Sequence, residues 1–89
     1  MSFHDNKAAL RFEWREDGHV AFADYARQGN VLVIPHVEAP PALRGTGAAG
    51  RLMQAVVDHA RENDVKLRPM CSYAAAWLMR HKEHADLIV

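Results

Sequence analysis

The chain has 89 residues, enough for one domain spanning 1–89 and no second. Apolar residues make up 49% and charged residues 25%, a globular rather than a disordered composition. Eleven Lys and Arg balance eleven Asp and Glu, which argues against nucleic acid as a partner; one Cys excludes a disulfide framework or a Cys-based zinc finger, and no run of about 18 apolar residues is present to span a membrane.

The N-terminal MSFHDNKAAL is polar and lacks the apolar core of a signal peptide, so the expected address is the cytoplasm. Leu10, Phe12 and Trp14 alternate with Arg11, Glu13 and Arg15, the period of a half-buried strand. Asp17-Gly18 is a hairpin turn signal, and Val20 to Ala26 reads as the returning strand. One face of that strand, Ala21, Ala23 and Tyr25, carries small residues that leave room for a helix. Gln28-Gly29-Asn30 is the next turn, followed by a strand from Val31 to Glu38 in which Pro35 predicts a bulge. Ala39 to Leu43 is a stiff connector. Arg44 to Gly50 opens a helix whose inner face is Ala49, Leu52, Met53, Val56, Val57 and Ala60, and which ends at Asn63-Asp64. Val65 to Cys71 reads as a short strand. Ser72 is the expected cap of a helix from Tyr73 to His81, with Ala74, Trp77 and Leu78 inward. Leu87-Ile88-Val89 either adds a short strand or docks apolar surface.

The predicted order is therefore β-β-β-α-β-α, an α+β (α/β-like) class with an antiparallel meander and one parallel β-α-β crossover. Ligands in such sheets sit at the carboxyl ends of the parallel strands. That edge carries the Pro35 bulge, the glycine loop and Cys71-Ser72-Tyr73.

Gly45-Thr46-Gly47-Ala48-Ala49-Gly50 matches G-x-G-x-x-G, a weak pattern by itself. A Rossmann loop would follow its strand directly and have an acid at the end of the next strand; here Ala39 to Arg44 intervene and Pro69-Met70-Cys71 stands where the acid belongs. A P-loop would end in Gly-Lys-Ser/Thr, and Gly50-Arg51-Leu52 does not. Read from one residue earlier, Arg44-Gly45-Thr46-Gly47-Ala48-Ala49 fits R/Q-x-x-G-x-G/A. In this frame the chain resembles the GNAT superfamily of acetyl-CoA-dependent N-acetyltransferases, whose pyrophosphate loop has that pattern. Backbone N–H groups at a helix N-terminus, exposed by small residues, form an anion site, and Arg44 can add a charge-assisted contact. From Phe12 onward the chain resembles the short single-domain subgroup in ordered segments: Ala21 and Tyr25, His36-Val37-Glu38-Ala39-Pro40, Pro69-Met70-Cys71, then Trp77, His81, Glu83, Asp86 and Leu87. Lys82 replaces the subgroup's usual Pro, and His84 a frequent aromatic.

The resemblance implies a truncated GNAT fold that binds acyl-CoA. Its cofactor contacts fall on Arg44, Gly45, Thr46, Gly47, Ala48 and Ala49, with the strand at Val37 and Ser72 along the pantetheine arm. It also implies that the N-terminal helices which build the acceptor site in longer enzymes are missing. Acetyl transfer needs a neutral amine, a polarised carbonyl and, for some substrates, a proton for the leaving thiolate. Glu38 and His36 are the candidate bases, set against a solvated carboxylate and a packed imidazole. Tyr73 is the candidate acid, set against aromatic packing. Cys71, at a strand end before a helix N-terminus, is the candidate nucleophile, acetyl carrier or pocket wall, set against a small buried hydrophobe. His81 and His84 lack a third ligand for a metal, and they, Asp58 and His59 read as solvated. Arg51, Arg61 and Arg68 are too dispersed for a basic patch. The functions in play are an N-acetyltransferase of unspecified amine, a non-catalytic acyl-CoA-binding module, and a plain interaction domain. Pairing with a second copy to complete the site, as a homodimer, is left open.

Overall fold

The computed structural model describes residues 1–89. The sheet has five strands in chain order: β1 (Ser2–Asn6), β2 (Arg11–Glu16), β3 (His19–Gln28), β4 (Val31–Glu38) and β5 (Lys66–Pro69). The first four run antiparallel, and β5 lies parallel to β4 after a crossover through helix α1 (Ala48–Glu62). Helix α2 (Ser72–Arg80) and a 3₁₀ segment at Lys82–Leu87 complete the chain. The fold class and the parallel crossover expected from the sequence are present. The N-terminal strand is an addition to the expected order.

β1 escapes periodicity because only one of its inward positions is apolar. Phe3 stacks on Phe12 at 5.5 Å, but the next inward residue is Asp5, which accepts the Tyr25 hydroxyl at 2.6 Å. The alternation assigned to Leu10 also fails. Leu10 lies in the turn before β2, is 53% exposed, and has a left-handed φ of 53°. The Asp17-Gly18 hairpin forms as expected: both residues have positive φ, and Glu16 pairs with His19 across a two-residue loop.

The bulge lies where Pro35 placed it. Asp24 pairs with His36 and Ala26 with Val33, so Ile34 and Pro35 together oppose Tyr25. This extra residue reverses the alternation. Leu32 and Ile34 are buried, whereas beyond the bulge Val37, opposite the buried Ala23, turns inward and His36 and Glu38 turn outward.

Ala21 and Ala23 make the room that α1 fills, and the helices cover that one face of the sheet. Leu52, Met53, Val56, Val57 and Ala60 are fully buried, each of the larger ones contributing about 1.5–3 kcal/mol of transfer free energy. At the first turn Ala48, not Ala49, takes the core position. α1 stops where Asp64 adopts φ 54° and the Val65 N–H closes on the Ala60 carbonyl. Cys71, rather than Ser72, occupies the cap of α2, with no side-chain capping bond. Trp77 is core, 5% exposed. The tail does both things expected of it: Leu87 is buried, and Ile88 forms a parallel bridge to Leu67. No helix is long and apolar enough to cross a membrane.

Candidate active site

A short 3₁₀ turn, Pro41–Leu43, delivers the chain to the glycine loop and buries Leu43 as its anchor. Gly45 and Gly47 then adopt φ of 77° and 87°, which side-chain-bearing residues rarely tolerate. The Thr46 hydroxyl donates to the Leu43 carbonyl at 2.6 Å and accepts the Ala48 N–H at 3.3 Å. The Thr46 N–H bonds to Leu43 and the Arg51 N–H to Gly47. After that accounting, the N–H groups of Gly45, Gly47, Ala49 and Gly50 have no acceptor within the protein. Four free donors lie at or just before one helix N-terminus, where the dipole also favours negative charge. Ala48 contributes only its buried methyl, because its N–H is taken.

Beside this loop the sheet splits. β4 and β5 pair from Val31–Lys66 to Ile34–Pro69, and the Ile34 carbonyl then accepts both the Met70 and Cys71 N–H groups at 3.0 Å. β4 runs on to Glu38 with no strand partner on that side. A cavity of about 270 Å³ lies at the split, lined by His36, Val37, Glu38, Ala39, Arg44, Ala49 and Tyr73. The structure thus brings together three of the four expected catalytic residues and three of the expected cofactor contacts. Gly45, Thr46 and Gly47 belong to the adjoining loop.

His36 Nε2 and Glu38 Oε1 are 3.2 Å apart, both side chains 52% exposed. An ionised carboxylate only accepts, so Nε2 is the donor in this contact; in the neutral imidazole with that tautomer the lone pair is on Nδ1. Their outward position beside Phe22, 6.0 Å from the His36 ring, follows from the bulge. Arg44 donates Nε to the Ala39 carbonyl at 3.1 Å and forms no ion pair, so the rest of its guanidinium remains available. Tyr73 is 36% exposed, yet burial pushes its phenol above the ordinary value. Its hydroxyl lies 3.9 Å from the position a Gly50 side chain would take, and Trp77 Nε1 lies 3.3 Å from it. Gly50 therefore lets α2 approach α1 closely enough to carry Tyr73 into the site.

Cys71 and Ser72 are not among the cavity walls. Cys71 stays half-buried against the core, its backbone fixed to Ile34, while Ser72 is exposed on the first turn of α2.

A supporting group was invisible to sequence spacing. Glu16 accepts Arg51 Nε at 2.8 Å and Nη2 at 2.6 Å, and Trp14 Nε1 at 2.9 Å. Arg51 Nη2 also donates to the Thr46 carbonyl at 3.1 Å, tying the loop to the β2–β3 hairpin. The Arg51 guanidinium and the Trp14 indole hold the Glu16 carboxyl down to about 2. The only sequence hint is an Arg one turn after Gly47; its partner lies 35 residues away.

Three histidine readings also need correction. His84 is buried, with Nδ1 3.1 Å from Arg61 Nη2, while Arg61 also grips Asp86. His81 stacks on Trp77 at 3.8 Å. His59 rests its ring 4.9 Å from that of Phe12. A polar residue on a helix reads as solvated until a distant partner covers it, and here the partners are Arg61, Trp77 and Phe12.

Against known proteins, a family model described as GCN5-related N-acetyl-transferase matches residues 11–87. Among solved structures, the NMR solution structure of a "GCN5-like putative N-acetyltransferase" from Staphylococcus aureus superposes with a TM-score of 0.70. Its identity to this chain is 26%, and the match covers 99% of this chain and 87% of that one.

Proposed function

Because the chain belongs to the GCN5-related N-acetyltransferase family, we propose that it binds acetyl-CoA and transfers the acetyl group to an amine. The observation that supports this most directly is the set of four unpaired N–H groups at Gly45, Gly47, Ala49 and Gly50, which suits a pyrophosphate. Arg44 would add charge to that cradle, and the unpaired side of β4 around Val37 would hold the amide-bearing arm. Bound acetyl-CoA supplies the acetyl group as an activated thioester.

The remaining work falls to the residues at the split. An amine acceptor arrives as an ammonium and must lose a proton. Nδ1 of His36 takes it, and the Glu38 carboxylate at Nε2 stabilises the imidazolium so formed. Tyr73 keeps its phenolic proton, the property required of an acid beside a leaving group. Cys71 and Ser72 stand off the walls, which supports direct attack by the amine over a cysteine-bound intermediate.

Calorimetric titration with acetyl-CoA, with adenosine diphosphate as competitor, tests the cradle. Micromolar binding displaced by the nucleotide is expected; absence of binding at millimolar cofactor would sink the proposal. His36→Gln should then lower acetyl transfer to a primary amine about 10²- to 10⁴-fold with cofactor affinity unchanged, and Glu38→Gln should lower it less. Cys71→Ala should retain transfer, with no acetylated protein by intact mass. A second reading, a non-catalytic acyl-CoA-binding module, is favoured by the half-exposure of both His36 and Glu38. Tight binding without turnover on a panel of amines would select it.

A further inference from the structure

A second cavity, of about 330 Å³, opens near the far end of α1, between the β1–β2 turn and the end of β3. It shares no lining residue with the cavity at the sheet split. Its volume falls at the low end of the roughly 300–1,000 Å³ typical of small-molecule sites. Beneath it the core is closed: Phe12 and Leu32 are buried, Tyr25, stacked on Phe12 at 4.4 Å, shows only an edge, and His59 completes the lining. Leu10, 53% exposed, is the apolar side chain that the cavity presents to a ligand.

The rim is charged. Lys7 and Arg27 line the cavity, and neither forms an ion pair with any side chain of the protein. Arg27 spends only Nε, on the Gly29 carbonyl at 2.9 Å, which leaves both terminal nitrogens free. The one acid present, Asp5, accepts the Tyr25 hydroxyl through one oxygen and keeps its negative charge. Two cations against one carboxylate leave an excess of positive charge beside the exposed Leu10, which favours an anion with an apolar body. A guanidinium fork matches a planar carboxylate, and the small volume suits a single ring or short chain.

We propose that this cavity binds a small carboxylate carried on an aromatic or aliphatic body, the body against Leu10 and the edge of Tyr25 and the carboxylate between Lys7 and Arg27. The site is separate from the acetyl-transfer centre and does not depend on that reading. Phenylacetate is the probe, with benzyl alcohol and inorganic phosphate as comparisons, followed through backbone amide shifts. Phenylacetate should move Leu10, Tyr25 and Arg27 saturably and leave Gly45 to Gly50 unmoved. Lys7→Ala and Arg27→Ala, both at exposed positions, should each weaken binding about tenfold or more. Benzyl alcohol and phosphate should each bind at least about tenfold more weakly than phenylacetate. No saturation by roughly 10 mM phenylacetate, shifts confined to the glycine loop, or equal binding of benzyl alcohol or of phosphate would overturn the proposal.

Discussion

Replacing Gly47 by alanine is expected to destabilise the fold more than replacing Gly45, although both sit in left-handed conformations. At Gly45, φ is 77° and an added Cβ meets nothing within 4 Å, so the loss is backbone strain alone, about 1–2 kcal/mol. At Gly47, φ is 87° and the added Cβ lies 2.9 Å from Arg51 Nη1. The tip of an arginine normally swings aside. This one is held by two bonds to Glu16 and one to the Thr46 carbonyl. The methyl group is thus forced into filled space, which adds about 1–3 kcal/mol. In a domain of this size each kcal/mol lowers Tm by about 4–8 °C, so the two variants should separate clearly in thermal unfolding followed by circular dichroism. Repeating the pair in a Glu16→Ala background frees the guanidinium and should close the gap. Equal melting of the two variants in the parent protein, or a gap that persists without Glu16, would refute the reasoning.

Acid stability follows from the same pair. The Glu16 carboxyl is held at about 2, below the ordinary 4.5, so its contribution is fully present above pH 4.5 and is lost as pH falls from 4.5 toward 2. Glu16→Gln should remove that part of the pH dependence of the urea midpoint; parallel decline of variant and parent across this window would contradict it. Leu10→Gly relieves a left-handed leucine at an exposed turn and should stabilise by up to about 1 kcal/mol, after the entropy that glycine adds to the unfolded chain. A lower urea midpoint would mean that the Leu10 side chain contributes packing that outweighs its strain.

What could be read from the sequence was whatever depended on neighbours along the chain. Asp17-Gly18 specified its own turn, Ala21 and Ala23 announced the helix above them, and Pro35 marked its bulge. The inner face of α1 differed by one residue, because the first turn begins at Ala48 with Gly47 as its cap. Features held by distant polar partners were not legible. β1 is secured through Asp5 and Tyr25, twenty residues apart, and the glycine loop through Glu16 and Arg51. In the site, local spacing placed His36, Val37 and Glu38 beside the loop. It could not show that β5 ends at Pro69 and leaves Cys71 and Ser72 off the walls, because that depends on where two strands part.

The bulge in β4 makes one strand subject to two kinds of constraint. Upstream of it, residues are chosen by how they fit under the helices; downstream, the same alternation is read in the opposite phase, and the polar pair faces water. Substitution at Pro35 leaves this arrangement intact as long as the extra residue remains. Removal of one residue there, with pairing otherwise kept, would turn His36 and Glu38 toward the helices and Val37 toward solvent. The segment between Val33 and His36 therefore tolerates changes of residue type far better than changes of length, and its residue count, more than its composition, keeps this stretch of chain a polar surface instead of a core.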